Sequence, residues 1–169
     1  MIGLLNNDGT ELNTMHTSTT PATLPPIAEL LPHSSPMVLV DTIIRWDEQS
    51  IHCQSQSHLQ PDNPLRQAGT LSVFAGVEYA AQAMAAHARL LQSATTDATP
   101  RKGFIAVASK LSAHVDMLDS VRASMHIEAN MLAHNNDSSL YAFSLSADGQ
   151  TLLTGQLTAV TINDDSSSQ

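Results

Sequence analysis

The chain has 169 residues, enough for one domain whose core stands without crosslinks. A formal charge of −9 with only seven Lys and Arg argues against nucleic acid, whose phosphates demand a basic surface, and against an anionic membrane face. The single cysteine, Cys53, excludes an internal disulfide framework and fits a reducing compartment.

Residues 1–22 are rich in Asn, Thr, Ser and Asp without periodicity, so we read them as a flexible leader; it has no basic start and is too polar for a secretory signal. Residues 163–169 read as a flexible tail, and residues 23–162 as one domain. No apolar run approaches the roughly 18–20 residues of a membrane span, so the expected location is the cytoplasm. Pro25-Pro26 opens a short helical segment, IAELL, which ends before Pro32 because the residue preceding proline is pushed out of the helical region. Residues 37–45 (MVLVDTIIR) have the β-branched, apolar composition of a buried strand, and residues 51–58 read as its returning partner after a polar turn. Residues 60–69 form a loop that leads into the most distinctive stretch of the chain.

That stretch is 71–92, LSVFAGVEYAAQAMAAHARLLQ. Phe74, Val77, Ala81, Met84, Ala88 and Leu91 recur at helical spacing, and Tyr79, Ala83 and Ala86 leave the opposite side apolar too. A helix apolar nearly all round is buried. It holds two formal charges: Arg89 near its end, and Glu78 in its second turn, where a carboxylate is costly unless it is paired or has a task. Strands follow at 103–115, 121–131, 140–146 and 152–162. In the second of these Val121, Ala123, Met125, Ile127, Ala129 and Met131 alternate with polar residues, the pattern of a half-buried antiparallel strand. Asp148-Gly149 is a strong hairpin signal. A hairpin, one long buried helix and about four antiparallel strands imply an α+β fold with the sheet wrapped over the helix.

Three segments, in order, carry a family resemblance over residues 24–162. LPHSSPMVLVD (31–41) resembles the LPHRxPxLLVD opening of the bacterial β-hydroxyacyl-acyl carrier protein dehydratases, GVEYAAQAMA (76–85) resembles their central-helix motif, and ADGQTLLTGQLTAV (147–160) is similar to their closing hairpin. The resemblance implies a hot-dog fold, in which an antiparallel β-sheet wraps around one long central helix. It implies a 3-hydroxyacyl thioester substrate on acyl carrier protein or coenzyme A, and no dissociable cofactor. It also implies a homodimer, or a heterodimer with a related hot-dog subunit, in which Glu78 of one subunit faces loop residues of the other. One departure stands out. The family's main acid/base His lies in a GHFPxxPxxPG loop before the central helix, and the corresponding NPLRQAGTLSVFAG here is shorter and contains no His. In this the chain resembles a divergent branch associated with aryl-polyene and related polyketide-type clusters.

Dehydration of a 3-hydroxyacyl thioester requires a base for the C2 proton and an acid for the departing C3 hydroxyl. Glu78 is the candidate acid, since a carboxyl in an apolar pocket can hold a proton near neutrality. The alternative is a paired or partly exposed helix residue. His33, in the LPH segment, is the candidate replacement base, weighed against a role in pinning the strand start. Gln82, one turn beyond Glu78, reads as an orienting or a structural amide. Gly69, Val73, Phe74 and Gly76 mark the entry to the helix, where free N–H groups can polarise a thioester carbonyl; the family's donor aligns near Val73. His58 is expected as an exposed strand-end residue, His16 falls in the leader, and His52, His87, His114, His126 and His134 read as surface or strand-face residues without a pairing spacing. Arg66, Arg101 and Lys102 could meet a phosphopantetheine arm or an acidic carrier, against a plain solvated charge. Ser72 lacks a nucleophile elbow. No metal-ligand spacing is present, so no metal is expected. The leading expectation is a dehydratase; the alternatives are a hot-dog thioesterase and a non-catalytic acyl-binding partner subunit.

Overall fold

The computed structural model describes residues 23–95 and 102–162; the expected leader, the tail and Arg101 lie outside them. A one-turn helix α1 (Ile27–Leu30) precedes strands β1 (Thr42–Trp46) and β2 (Ser50–Ser55). The long helix α2 (Gly76–Ser93) follows, then β3 (Lys102–Ala113), β4 (Met125–His134), β5 (Ser138–Ala147) and β6 (Gln150–Ile162). All pairings are antiparallel, and the six strands lie in one sheet in the order β1-β2-β4-β5-β6-β3. Helix α2 packs on the inner face of this sheet, against β2, β3, β4 and β5. The arrangement is the expected wrapped sheet.

The central strands bury apolar residues on that inner face. Met125, Ile127 and Ala129 of β4 are buried, as the alternation requires, together with Tyr141, Phe143 and Leu145 of β5. Asp148 and Gly149, at φ 51° and 75°, make the β5–β6 turn in the left-handed region that matches strand twist. Gly76 is where the helix comes closest to the sheet: a Cβ there would stand 2.6 Å from Leu145 Cδ2 and 3.0 Å from Leu153 Cδ2. The helix could not approach the sheet so closely with a larger residue at this point.

The first expected strand is shorter than its composition suggested. Residues 37–40 are apolar, and Leu39 and Val40 are buried, yet they form no ladder. A side chain of α2 takes the place of a strand partner. The face of α2 also differs from expectation. Tyr79, Ala80, Ala83, Ala86, His87 and Leu90 point into the core, while Phe74 is 54% exposed. Since neither side carried a run of charges, helical spacing alone could not rank the two faces.

No helix among the described residues is long and apolar enough to cross a membrane.

Candidate active site

Glu78 sits in the first turn of α2, and His33 lies just beyond α1, at the end of the LPH segment. The fold brings them together within one chain: His33 Nε2 is 3.1 Å from Glu78 Oε1. Both side chains are about one-third open to solvent, at 31% and 33%. The other ring nitrogen of His33, Nδ1, is buried and has no hydrogen-bond partner among the described residues. Any proton that His33 exchanges with a ligand must therefore pass through Nε2, beside the carboxylate.

Gln82 sets this geometry. It is fully buried, and its Oε1 accepts from the backbone N–H of Leu39 at 2.9 Å and more weakly from that of Val40 at 3.4 Å. Its Nε2 donates to Met37 O at 2.6 Å and reaches Glu78 Oε1 at 3.4 Å. One amide thus satisfies Leu39 N–H, Val40 N–H and Met37 O in a segment without a strand partner, ties down the residues following His33, and touches Glu78. Leu39 is held from the other side as well, because Ser55 and Ser57 hydroxyls both donate to its carbonyl at 2.6 Å.

From this pair an open groove of about 670 Å³ runs along α2. Glu78, Ala81, Ala85, Ala88 and Gln92 form its helical wall, with the spacing of one helix face. Leu30 and Leu31 close one side, and the inner ends of β5, β6 and β3 the other, through Tyr141, Ala159 and Ile105. Arg89, the only Lys or Arg on its wall among the described residues, stands toward the far end. It lies eleven residues past Glu78, or about 16 Å along the helix axis.

The helix-entry residues are placed differently from what amide polarisation requires. The Val73 N–H donates to Asp116 O at 2.9 Å, Phe74 N–H to Ser72 Oγ at 3.2 Å, and Ala75 N–H to Ser72 O at 3.0 Å. Gly76 N–H is directed at Phe74 O and Val73 O. These donors are spent on Asp116 and on the short 3-10 turn that leads into α2, so none of them is left free for a carbonyl. Val73 is buried, and neither it, Phe74, Gly76 nor Gly69 lines the groove. Gly69 has a φ of 79° in an exposed turn, where its carbonyl accepts from Arg66. Arg66 is a clamp rather than a loose charge: it also donates to Gln60 O, His58 O and Asp119 Oδ2.

Two histidines depart from their expected positions, and His52, on a strand face as expected, has pairings that its spacing did not show. His58 is fully buried, with Nε2 donating to Val121 O at 3.0 Å. His87 is fully buried in α2; its Nε2 donates to Asp47 O at 2.8 Å, so the neutral ring accepts from the Tyr141 hydroxyl at Nδ1, 2.7 Å away. His52 stands 2.9 Å from His126 and 3.8 Å from Glu128, because β2 and β4 pair in a register that no linear spacing reveals. Among the described residues no three His, Cys, Asp or Glu side chains converge as a metal site would require.

Burial pulls the pKa of His58, His87 and His52 below the ordinary 6.5. It pushes Tyr141 up to about 12. The unfolded chain therefore takes up protons at these histidines before the native chain does. Stability is expected to be level above that ordinary value and to fall as pH drops through and below it. A urea midpoint followed from roughly pH 8 to pH 5 checks this, and a flat profile refutes it.

A six-stranded antiparallel sheet wrapped on one long helix, with His33 and Glu78 in contact at one end of a groove, is the architecture of a hot-dog protein. The chain belongs to the ApeP-like family of ApeP dehydratases, whose model matches residues 25–168. No curated protein matches its sequence. Among solved structures it is similar to the dehydratase heterocomplex ApeI:P from Xenorhabdus doucetiae, at 23% identity and a TM-score of 0.74 over 83% of this chain and 93% of that one. It is also similar to AziG of S. sahachiroi, at 13% identity and TM-score 0.57, covering 79% and 98% of the two chains. A mutant thioesterase of Pseudomonas aeruginosa matches at 14% identity and TM-score 0.53, covering 73% and 81%. At these identities the likeness is one of fold.

Proposed function

We propose that the protein dehydrates a 3-hydroxyacyl thioester to the 2-enoyl thioester. The observation that carries this reading is the 3.1 Å contact between His33 Nε2 and Glu78 Oε1. His33 Nε2 removes the C2 proton while Glu78, as the acid, protonates the C3 hydroxyl; the C3–O bond breaks and water leaves. His33 then holds a proton and Glu78 has lost one. Transfer across their own hydrogen bond restores the starting state, so the pair resets without a further donor. The family's loop histidine is replaced here by an imidazole from another part of the chain.

The thioester's handle is a phosphopantetheine arm, on acyl carrier protein or coenzyme A. Arg89 supports this: its guanidinium has no protein partner among the described residues and flanks the groove at arm's length from the pair. A second hot-dog chain completes the groove. Beyond β6, strand β3 has no other neighbour in the sheet among the described residues, and its Ile105 and Val107 are 41% and 51% exposed. Such an edge seeks a partner. The protein works in the cytoplasm, where its thioester substrates are made.

The test is to incubate the protein with a 3-hydroxyacyl pantetheine thioester and follow products by mass spectrometry. Loss of water with the thioester intact is the expected result. Free 3-hydroxy acid would instead identify a thioesterase, and no turnover an acyl-binding subunit.

A further inference from the structure

We infer that Tyr79 is a positioning residue for the His33–Glu78 pair, acting through a buried hydrogen-bond chain that runs from Asn63 through Tyr79 and Ser57 to the Leu39 carbonyl. The inference rests on the dehydratase reading and adds to it a residue that touches neither the acid nor the base.

Among the described residues six polar side chains are buried: Ser55, Ser57, His58, Asn63, Gln82 and His87. All but the two histidines converge on the segment from Met37 to Val40, directly or along this chain. One hydroxyl would satisfy the Leu39 carbonyl, yet Ser55 and Ser57 both donate to it at 2.6 Å. Polar groups are costly to bury unless every one is paired. Their concentration on one short stretch, next to the candidate site, marks a place where position matters more than burial alone.

Counting protons orients the chain. Ser57 has a single hydroxyl proton, and Leu39 O takes it. At the 2.7 Å contact between Ser57 Oγ and Tyr79 Oη the phenol therefore donates. Tyr79 Oη accepts in turn from Asn63 Nδ2 at 2.9 Å, and Asn63 Oδ1 accepts from Leu65 N–H at 3.0 Å. All four bonds run one way, toward Leu39, so each polarises the next.

The two ends of the chain lie on the two elements that carry the pair. Tyr79 is fully buried in α2, directly after Glu78. Leu39 belongs to the segment that leads back to His33: Gln82 holds Met37 O, and Met37 N–H closes a turn on Ser34 O at 2.8 Å. Gln82 grips this segment by its N–H groups, and Tyr79 grips it, through Ser57, by a carbonyl. The loop of residues 60–69, which has no imidazole, enters the site through Asn63.

Tyr79→Phe removes the hydroxyl and keeps the ring. Assayed with the 3-hydroxyacyl pantetheine thioester, it is expected to lower kcat about fivefold with KM unchanged, the effect of a slightly misplaced base. Ser57→Ala should do the same, and the two together little more than either, because links in series fail as one. The His33→Ala background separates positioning from plain stability. There Tyr79→Phe should leave the residual kcat untouched, since the base it positions is gone, while lowering the urea midpoint as much as it does in the wild-type chain. A kcat for Tyr79→Phe equal to wild type, a change confined to KM, or the same loss of kcat after His33→Ala overturns the inference. The dehydratase reading fails by a different result: His33→Ala and Glu78→Gln each retaining full activity.

Discussion

Glu78→Gln is expected to lower the rate of enoyl formation by about 10²–10⁴-fold, the usual worth of a positioned acid or base. The amide occupies the volume of the carboxyl and can still hydrogen-bond to His33 Nε2, so the contact that replaces the 3.1 Å pair survives in shape. What it cannot do is hand a proton to the leaving hydroxyl. The effect should therefore fall on kcat, with KM and the urea midpoint close to wild type. His33→Ala is expected to cost a similar factor, and the double variant little more than either single one, because two groups that pass one proton between them act as a unit. Enoyl-thioester absorbance under saturating substrate measures all three. Rates within threefold of wild type for either single variant would remove the pair from the mechanism.

Gln82→Leu is the other large effect, and it is expected in stability as well as rate. Leucine nearly fills the space, but the buried Leu39 N–H loses its 2.9 Å acceptor and Met37 O loses its 2.6 Å donor. An unsatisfied buried group costs about 1–3 kcal/mol and the half-buried Met37 O less, so a loss of about 2–4 kcal/mol is expected. The segment from Met37 to Val40 has no strand partner to fall back on, so it loosens, and His33 loosens with it. In the proposed mechanism Gln82 positions the pair without touching the reacting atoms. Its loss should reduce kcat by about tenfold, in line with the penalty for misplacing a catalytic group. Gln82→Glu separates the two roles, because a carboxylate still accepts from Leu39 but cannot donate to Met37 O. It should fall between wild type and Gln82→Leu in urea midpoint. An unchanged midpoint in Gln82→Leu would show that the segment is held by Ser55 and Ser57 alone.

Much of the architecture is legible in the chain because it depends on local rules. The two-residue period of β4 sorts Met125, Ile127 and Ala129 inward whatever the neighbours are. Asp148-Gly149 makes its turn because both residues tolerate positive φ. The apolar run of α2 announces a buried helix, and Glu78 stands out as its one central charge. Where local rules are silent the reading misses. Residues 37–40 have strand composition, yet Leu39 N–H, Val40 N–H and Met37 O bond to a glutamine more than forty positions away. His58 and His87 look like surface residues by sequence position, and each is buried because a carbonyl from a distant segment meets its ring.

The sequence by itself determined the order of elements, the wrapped α+β sheet, the acid on the central helix and the absence of the family's loop histidine. These follow from periodicity, turn chemistry and motif order, all properties of neighbouring residues. Only the tertiary structure decided which imidazole meets that acid, which face of α2 is core and which lines the groove, and that the helix-entry amides are already used. Each of those depends on contacts between segments far apart in the chain. Their distances are set by how α1, the segment before β1 and α2 pack together, which no spacing along the sequence encodes.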